Sequence, residues 1–298
     1  MNRHTLQLVA LSAVWGSTFM LTRFAVPFLG PNLLAAARMG MAALALTAIM
    51  QALRLHWPLA HWRELALLAL IGVAAPHALF SWSALHLPAG YAALLYVSSV
   101  LFGAIASVWF KQEDLTAAKV AGCLLGIAGA ALLVRFGPLS PTPELVTAVM
   151  IATLGSALSG VSTPMLKRAV ARMDPMSISA GMHVIAFLML LPGAVVDWPR
   201  AQVTPAALAA VFVMGALISG LGWWLYARIL RHVTPLAALS STFMITGFGV
   251  LWAVLFLGER LDAGSWLGGA LLLLSSLLVM GYDPRRQLSA LRGRKSTP

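Results

Sequence analysis

Acidic residues are few: nine Asp and Glu stand against 20 Lys and Arg, and charged residues of both signs make up only 10% of the 298-residue chain. A soluble domain carries roughly 25% charged residues, because its surface must face water. Such a surface is excluded here, where 60% of residues are hydrophobic and the mean hydropathy is +0.88. Cysteine is nearly missing as well. The single Cys123 rules out an internal disulfide and a cysteine metal cluster. The basic excess, with a pI near 11.1, would point to nucleic acid in a soluble protein. These basic residues sit instead in short connectors and in the tail Arg285, Arg286, Arg292, Arg294 and Lys295. Membrane proteins mark their cytoplasmic side in that way, so no nucleic-acid partner is expected.

What the chain does have is long apolar runs. A helix needs about 20 predominantly apolar residues to cross the hydrocarbon core. That length predicts spans near 5–26, 32–53, 64–86, 90–110, 116–135, 144–166, 176–196, 205–227, 235–257 and 264–282. Proline-bearing connectors separate many of them, including Pro27 to Pro31, Pro88-Ala89-Gly90, Pro138 to Pro143 and Asp174-Pro175. The first run has no small-residue cleavage pattern before a polar region and reads as a retained helix rather than a signal peptide. Ten spans put both termini on one side. Fifteen of the 20 basic residues then lie on that side, and only Arg135, Arg200 and Arg260 on the other. That bias predicts cytoplasmic termini in an inner (plasma) membrane protein.

One absence concerns position rather than number. Glu64, Glu113, Asp114, Glu144, Asp174, Asp197, Glu259, Asp262 and Asp283 all fall at span ends, and no carboxylate lies mid-span. Proton-coupled carriers and organic-cation binders usually need such a group in the membrane. Facilitated movement of neutral, amphipathic or zwitterionic solutes is therefore expected. An intramembrane enzyme is not, since the chain has no HExxH, no paired mid-span Asp and no nucleophile motif with a histidine in reach. No cofactor or metal is expected either.

The two halves of the chain repeat each other. Residues 12–26, SAVWGSTFMLTRFAV, lie over residues 156–170, SALSGVSTPMLKRAV, with Ser12/Ser156, Gly16/Gly160 and Arg23/Lys167 among the matches. QEDLTAAKVAG (112–122) likewise lies over GERLDAGSWLG (258–268), and the offset drifts only from 144 to 146 residues. Polar and glycine positions match as well as apolar ones. Five spans per half is an odd number, so the second half enters the membrane upside down. The fold class is then all-α, with ten transmembrane helices in two inverted five-helix repeats: 1–138, 139–284 and a basic tail 285–298. Inverted repeats place a solute site near the midplane where they meet and suit alternating access.

Trp15-Gly16-Ser17-Thr18-Phe19 resembles the first-helix signature of the EamA group in the drug/metabolite transporter superfamily. Arg38 stands where that family commonly has an arginine, and Leu255 to Leu261 is similar to its ninth-helix signature, with a weaker copy at Trp109 to Leu115. The resemblance covers essentially the whole chain. It implies a central cavity lined mainly by helices one, three, four, six, eight and nine, and it is similar to the branch exporting aromatic and other amino acids. The runner-up is an exporter of drugs, organic cations or other metabolites, with or without proton coupling. Where the family often has proline, this chain has Val100 and Thr246, so helices four and nine are expected to bend less, or at Gly103 and Gly247. A monomer is expected as the working unit, with a dimer also open.

Candidate solute contacts are Trp15, Thr18, His77, Tyr96, Ser99, Ser162, Trp223 and Thr242. Trp15 and Tyr96 fall near mid-span, where a polar-tipped ring facing lipid is wasteful. His77 reads either as a neutral imidazole bonded inside the bundle or as a cavity group. The hydroxyls can bond their own helix four residues back, or a solute. Arg38 reads as a structural group holding carbonyls or headgroups, or as a contact for a substrate carboxylate. Trp109, at a span end, reads as an interface anchor. Glu113 and Glu259 read as braces of helix ends, and Gly122, Gly126, Gly129, Gly264, Gly268 and Gly269 as close-packing faces.

Overall fold

The computed structural model describes residues 3–112, 114, 116–136, 142–239 and 241–279. Glu113, Leu115, Asp283 and the basic tail lie outside these, as does the side chain of Cys123. Among the described residues every regular element is a helix. In chain order they are α1 (Arg3–Leu29), α2 (Pro31–Ala52), α3 (Leu59–Ser83), α4 (Ala89–Trp109), α5 (Ala117–Phe136), α6 (Pro143–Val170), α7 (Pro175–Asp197), α8 (Pro205–Leu230), α9 and α10 (Ala263–Val279). The helix α9 is described in two pieces, Pro235–Leu239 and Ser241–Leu257, either side of Ser240. All lie within a few residues of the predicted spans. Seven of them (α1 to α4 and α6 to α8) are long and apolar enough to cross a membrane. Leu44, Leu124, Met150, Val195 and Phe256 each stand more than half exposed on the outside of the bundle. An apolar outer surface suits lipid and would be costly in water.

The helix starts follow from the sequence. Proline opens α2, α6, α7, α8 and α9, in the first turn, where the N–H has no intrahelical partner to lose. Thr142, Asp174 and Thr204 cap α6, α7 and α8, each accepting a bond from a backbone N–H in the first turn. Two helices borrow their caps from a distance. Asp197, at the end of α7, accepts from the backbone N–H groups of Asn32 and Leu33 at 2.7 and 3.2 Å. Gly30 makes the turn before α2 with φ of +75°, and a Cβ there would run into the Asp197 carboxylate. Glu259 accepts from the backbone N–H groups of Ala89 and Gly90 at 2.7 and 2.8 Å. The glutamate of the signature thus braces the first turn of α4, 170 residues earlier in the chain.

Pairing sets the interior. α1 lies against α9, α4 against α6, α2 against α7 and α5 against α10. The contacts come in matched sets. The Ser12 hydroxyl donates to the Ser241 carbonyl at 3.4 Å, and that of Ser156 to the Leu95 carbonyl at 3.3 Å. A Cβ on Gly16 would strike the Ile245 oxygen and the Gly249 nitrogen; one on Gly160 would strike the Ser99 oxygen and the Gly103 nitrogen. Arg23 donates to the Ala84 carbonyl at the end of α3, while Lys167 donates to the carbonyls of Leu230, Arg231 and Val233 at the end of α8. Each pair of positions is separated by the 144 or 146 residues of the sequence alignment. Small residues also close α5 on α10, where Gly129 faces the Gly268 carbonyl and Ser275 donates to the Gly122 carbonyl at 2.6 Å.

Two features differ from expectation. The interruption of α4 falls at Val97, not Gly103, with three-residue hydrogen bonds from Val97 to Leu94 and from Val100 to Val97. Gly103 is instead occupied with packing, since a Cβ there would meet Leu239 and the Gly160 backbone. The second feature is the π-helical turns Leu70–Ala74 in α3 and Val213–Leu221 in α8, which the sequence did not announce.

Candidate functional site

A cavity, open to solvent at its mouth, lies inside the bundle. Its wall comes from α1, α3, α4, α6, α8 and α9, together with Arg38 of α2. Seven candidates line it: Trp15, Thr18, His77, Tyr96, Ser99, Trp223 and Thr242. Ser162 does not. Its hydroxyl donates to the Ser159 carbonyl at 2.7 Å, and its side chain packs against Gly72 of α3. Each helical residue turns about 100° from the last, so Ser159 and Thr163 share the cavity face of α6 while Ser162 sits off it.

The π-turns arrange much of this wall. A wide turn loosens the regular backbone ladder and is often found at functional sites. The Trp15 indole N–H donates to the Ile218 carbonyl, inside the α8 turn, at 2.9 Å. His77 Nδ1 lies 2.6 Å from the Val73 carbonyl, inside the α3 turn. A carbonyl only accepts, so Nδ1 carries the proton and Nε2 is left as an acceptor in the neutral ring. Ser219, also in the α8 turn, accepts from Arg38 Nε at 2.7 Å.

Two aromatic clusters face the space. Trp15 stands 5.1 Å from Tyr226 and 6.0 Å from Trp223 between ring centroids. Phe19, Phe80 and Tyr96 form the other, at 5.8 to 6.0 Å from one another. Such separations are those of tilted and edge-on ring contacts. Hydroxyls share the wall with the rings: those of Tyr226 and Thr163 are 3.4 Å apart, and the buried Ser99 hydroxyl has no hydrogen-bond partner among the described residues. No carboxylate lines the cavity among the described residues. Trp109, by contrast, is 83% exposed on the outside of the bundle.

Phe19, Phe80, Thr163 and Tyr226 were not among the candidates. Tyr226 follows Trp223 by three residues and Phe19 follows Trp15 by four, spacings that put each pair on one helix face. That periodicity was the available signal. Phenylalanine itself carries none, because an apolar ring reads equally as lipid contact or core.

The family model for EamA-like transporters matches residues 4–135 and, again, residues 146–281. A protein of Streptantibioticus cattleyicolor described as a probable terminal-alkyne amino-acid exporter is 26% identical, over 98% of this chain and 96% of its own length. The uncharacterized transporter YvbV of Bacillus subtilis is also 26% identical, again over 98% of this chain and 96% of its own. A solved crystal structure, 19% identical, covers 93% of this chain and 98% of its own with a TM-score of 0.68, so the two share a fold.

Proposed function

The chain belongs to the EamA-like transporter family, and from that premise we propose that it exports amino acids, aromatic and other hydrophobic ones above all, by alternating access without obligatory proton coupling. The wall of the cavity carries this reading. It combines aromatic faces, which suit planar or bulky apolar side chains, with hydroxyls suited to the polar end of an amino acid. A relative described as an amino-acid exporter supports the same class of solute. A drug or organic-cation exporter would want a counter-charge, and among the described lining residues there is no carboxylate to give it.

The architecture in this proposal is ten spans in two inverted repeats, 1–138 and 139–284, in the inner membrane with both termini cytoplasmic. Its support is the double match to one family model, the basic bias of the connectors and the contacts that recur at the repeat offset. The exchanged pairing of α1 with α9 and α4 with α6 gives each half a face on the other, as rocking around a fixed site requires.

Purified protein in liposomes, assayed for efflux of labelled phenylalanine, leucine, glycine and an organic cation, tests the reading. Phenylalanine and leucine should move faster than glycine, and the cation should not move above the rate of empty vesicles. Cation movement without amino-acid movement would defeat the proposal. Collapse of the pH gradient should leave amino-acid flux largely intact. Flux that stops, and returns only with an imposed gradient, would overturn the facilitative part and turn attention to His77.

A further inference from the structure

We propose that Arg38 is the cavity's receptor for an anionic head group, so that the carrier selects solutes by their carboxylate and has no matching receptor for the ammonium. The inference rests on reading the cavity as the solute site. Arg38 is 7% exposed and lies within the bundle, which removes lipid headgroups as its partners. Its partners among the described residues are neutral: the Ser219 hydroxyl at 2.7 Å from Nε and the Thr18 hydroxyl at 3.4 Å from one terminal nitrogen. A guanidinium has five N–H donors, so these two contacts leave most of its donors unused. The other terminal nitrogen is not among the buried atoms left without a partner, and Arg38 borders the open space.

A buried charge is costly unless it is paired, and in a membrane interior more so. No carboxylate of the described chain lies on the cavity wall to pair with it. The cavity therefore holds a fixed positive charge with unused donors, and the flat, two-pronged geometry of a guanidinium fits a carboxylate. A monoanion entering the cavity brings the missing counter-charge. A zwitterion brings it too, but adds an ammonium that only hydroxyls, carbonyls and ring faces can meet. A simple cation adds a second positive charge beside the first. The expected order is carboxylate at least equal to amino acid, and both well above amine, for solutes with the same aromatic body.

Three probes share a phenyl-alkyl body and differ in charge: 3-phenylpropanoate, phenylalanine and phenethylamine. Affinity is read from ligand-induced thermal stabilisation of the purified protein, and movement from liposome flux. Phenethylamine should bind about tenfold or more weaker than 3-phenylpropanoate, the loss expected when one charge-assisted pair is missing. Arg38→Lys should keep the order with a smaller ratio. Arg38→Gln, which can still bond Ser219, should bring the anion and the amine close to parity. If Arg38→Gln does not fold, the unmodified protein and Arg38→Lys still give the order. Phenethylamine binding as tightly as 3-phenylpropanoate overturns the inference, as does an unchanged preference in Arg38→Gln. Phenylalanine failing to bind or cross while the anion still outbinds the amine ends the amino-acid reading and keeps this one. Phenylalanine crossing with no preference for the anion does the reverse. No response to any of the three overturns both.

Discussion

Glu259→Ala removes a brace made entirely at a distance. The carboxylate accepts from the Ala89 and Gly90 N–H groups at 2.7 and 2.8 Å, and Pro88, the residue before α4, offers no side-chain cap of its own. Hydrogen bonds to a charged group contribute about 1.5–3 kcal/mol each, and a negative charge at a helix N-terminus adds about 0.3–1 kcal/mol. Glu259 is half-buried, and water can replace part of what is lost. The expected cost is therefore about 2 kcal/mol, below the simple sum. Glu259→Gln keeps one carbonyl acceptor and loses the charge and one bond, so about half that cost is expected. Thermal unfolding of the purified variants in one detergent, at one pH, measures both. The melting temperature should fall in the order unmodified, Gln, Ala. A Glu259→Ala protein as stable as the original, or a Gln variant that falls as far as Ala, would refute the assignment of this glutamate as a two-pronged helix cap.

Gly160→Ala places a Cβ into the Ser99 carbonyl oxygen and against the Gly103 nitrogen, and backbone cannot swing aside. It should destabilise by about 1–3 kcal/mol, as overpacking does, whereas Gly247→Ala, inside a helix with nothing within 4 Å, should leave the melting temperature unchanged or slightly raised. Equal stability of the two variants would contradict the α4–α6 contact. Tyr96→Ala opens the cluster with Phe19 and Phe80 on the cavity wall and should slow flux of aromatic amino acids more than that of small ones. Trp109→Ala, on the outside, should lower the yield of folded protein without changing selectivity; flux per folded protein decides between these outcomes.

The helices were legible because lipid demands length and apolarity, and because proline marks their starts. Ser12/Ser156 and Gly16/Gly160 were legible as a repeat, and each pair makes the same kind of contact at its offset partner. The cavity was legible in part. Polar-tipped rings such as Trp15 and Tyr96 stand out in an apolar run because lipid leaves their polar atoms unsatisfied. Phe19 and Phe80 have no such atoms to betray their direction. Ser162 lies off the cavity wall for another reason: a serine in a span satisfies itself on its own backbone, so its presence does not fix the face it occupies. The π-turns were hidden because the apolar residues of Leu70–Ala74 and Val213–Leu221 read equally well as ordinary helix.

Arg38 joins several of these threads. It belongs to α2, yet its two partners lie on α1 and α8, so its side chain bridges the two proposed halves. Ser219 sits in a π-turn, a stretch of helix with a looser backbone ladder than its flanks. Thr18 is two residues from Gly16, where α1 meets the backbone of α9. In the proposed rocking cycle, a change of angle that moves Ser219 relative to Thr18 makes the guanidinium held between them turn or drop a partner. A solute carboxylate takes the donors that the two hydroxyls leave unused, and is gripped while those donors face the cavity. It is released when they turn away or are filled. Binding to a bistable element biases it only through a difference in contact between its two states. Arg38, anchored on both halves and bordering the cavity, is the charged side chain in the wall placed to supply that difference.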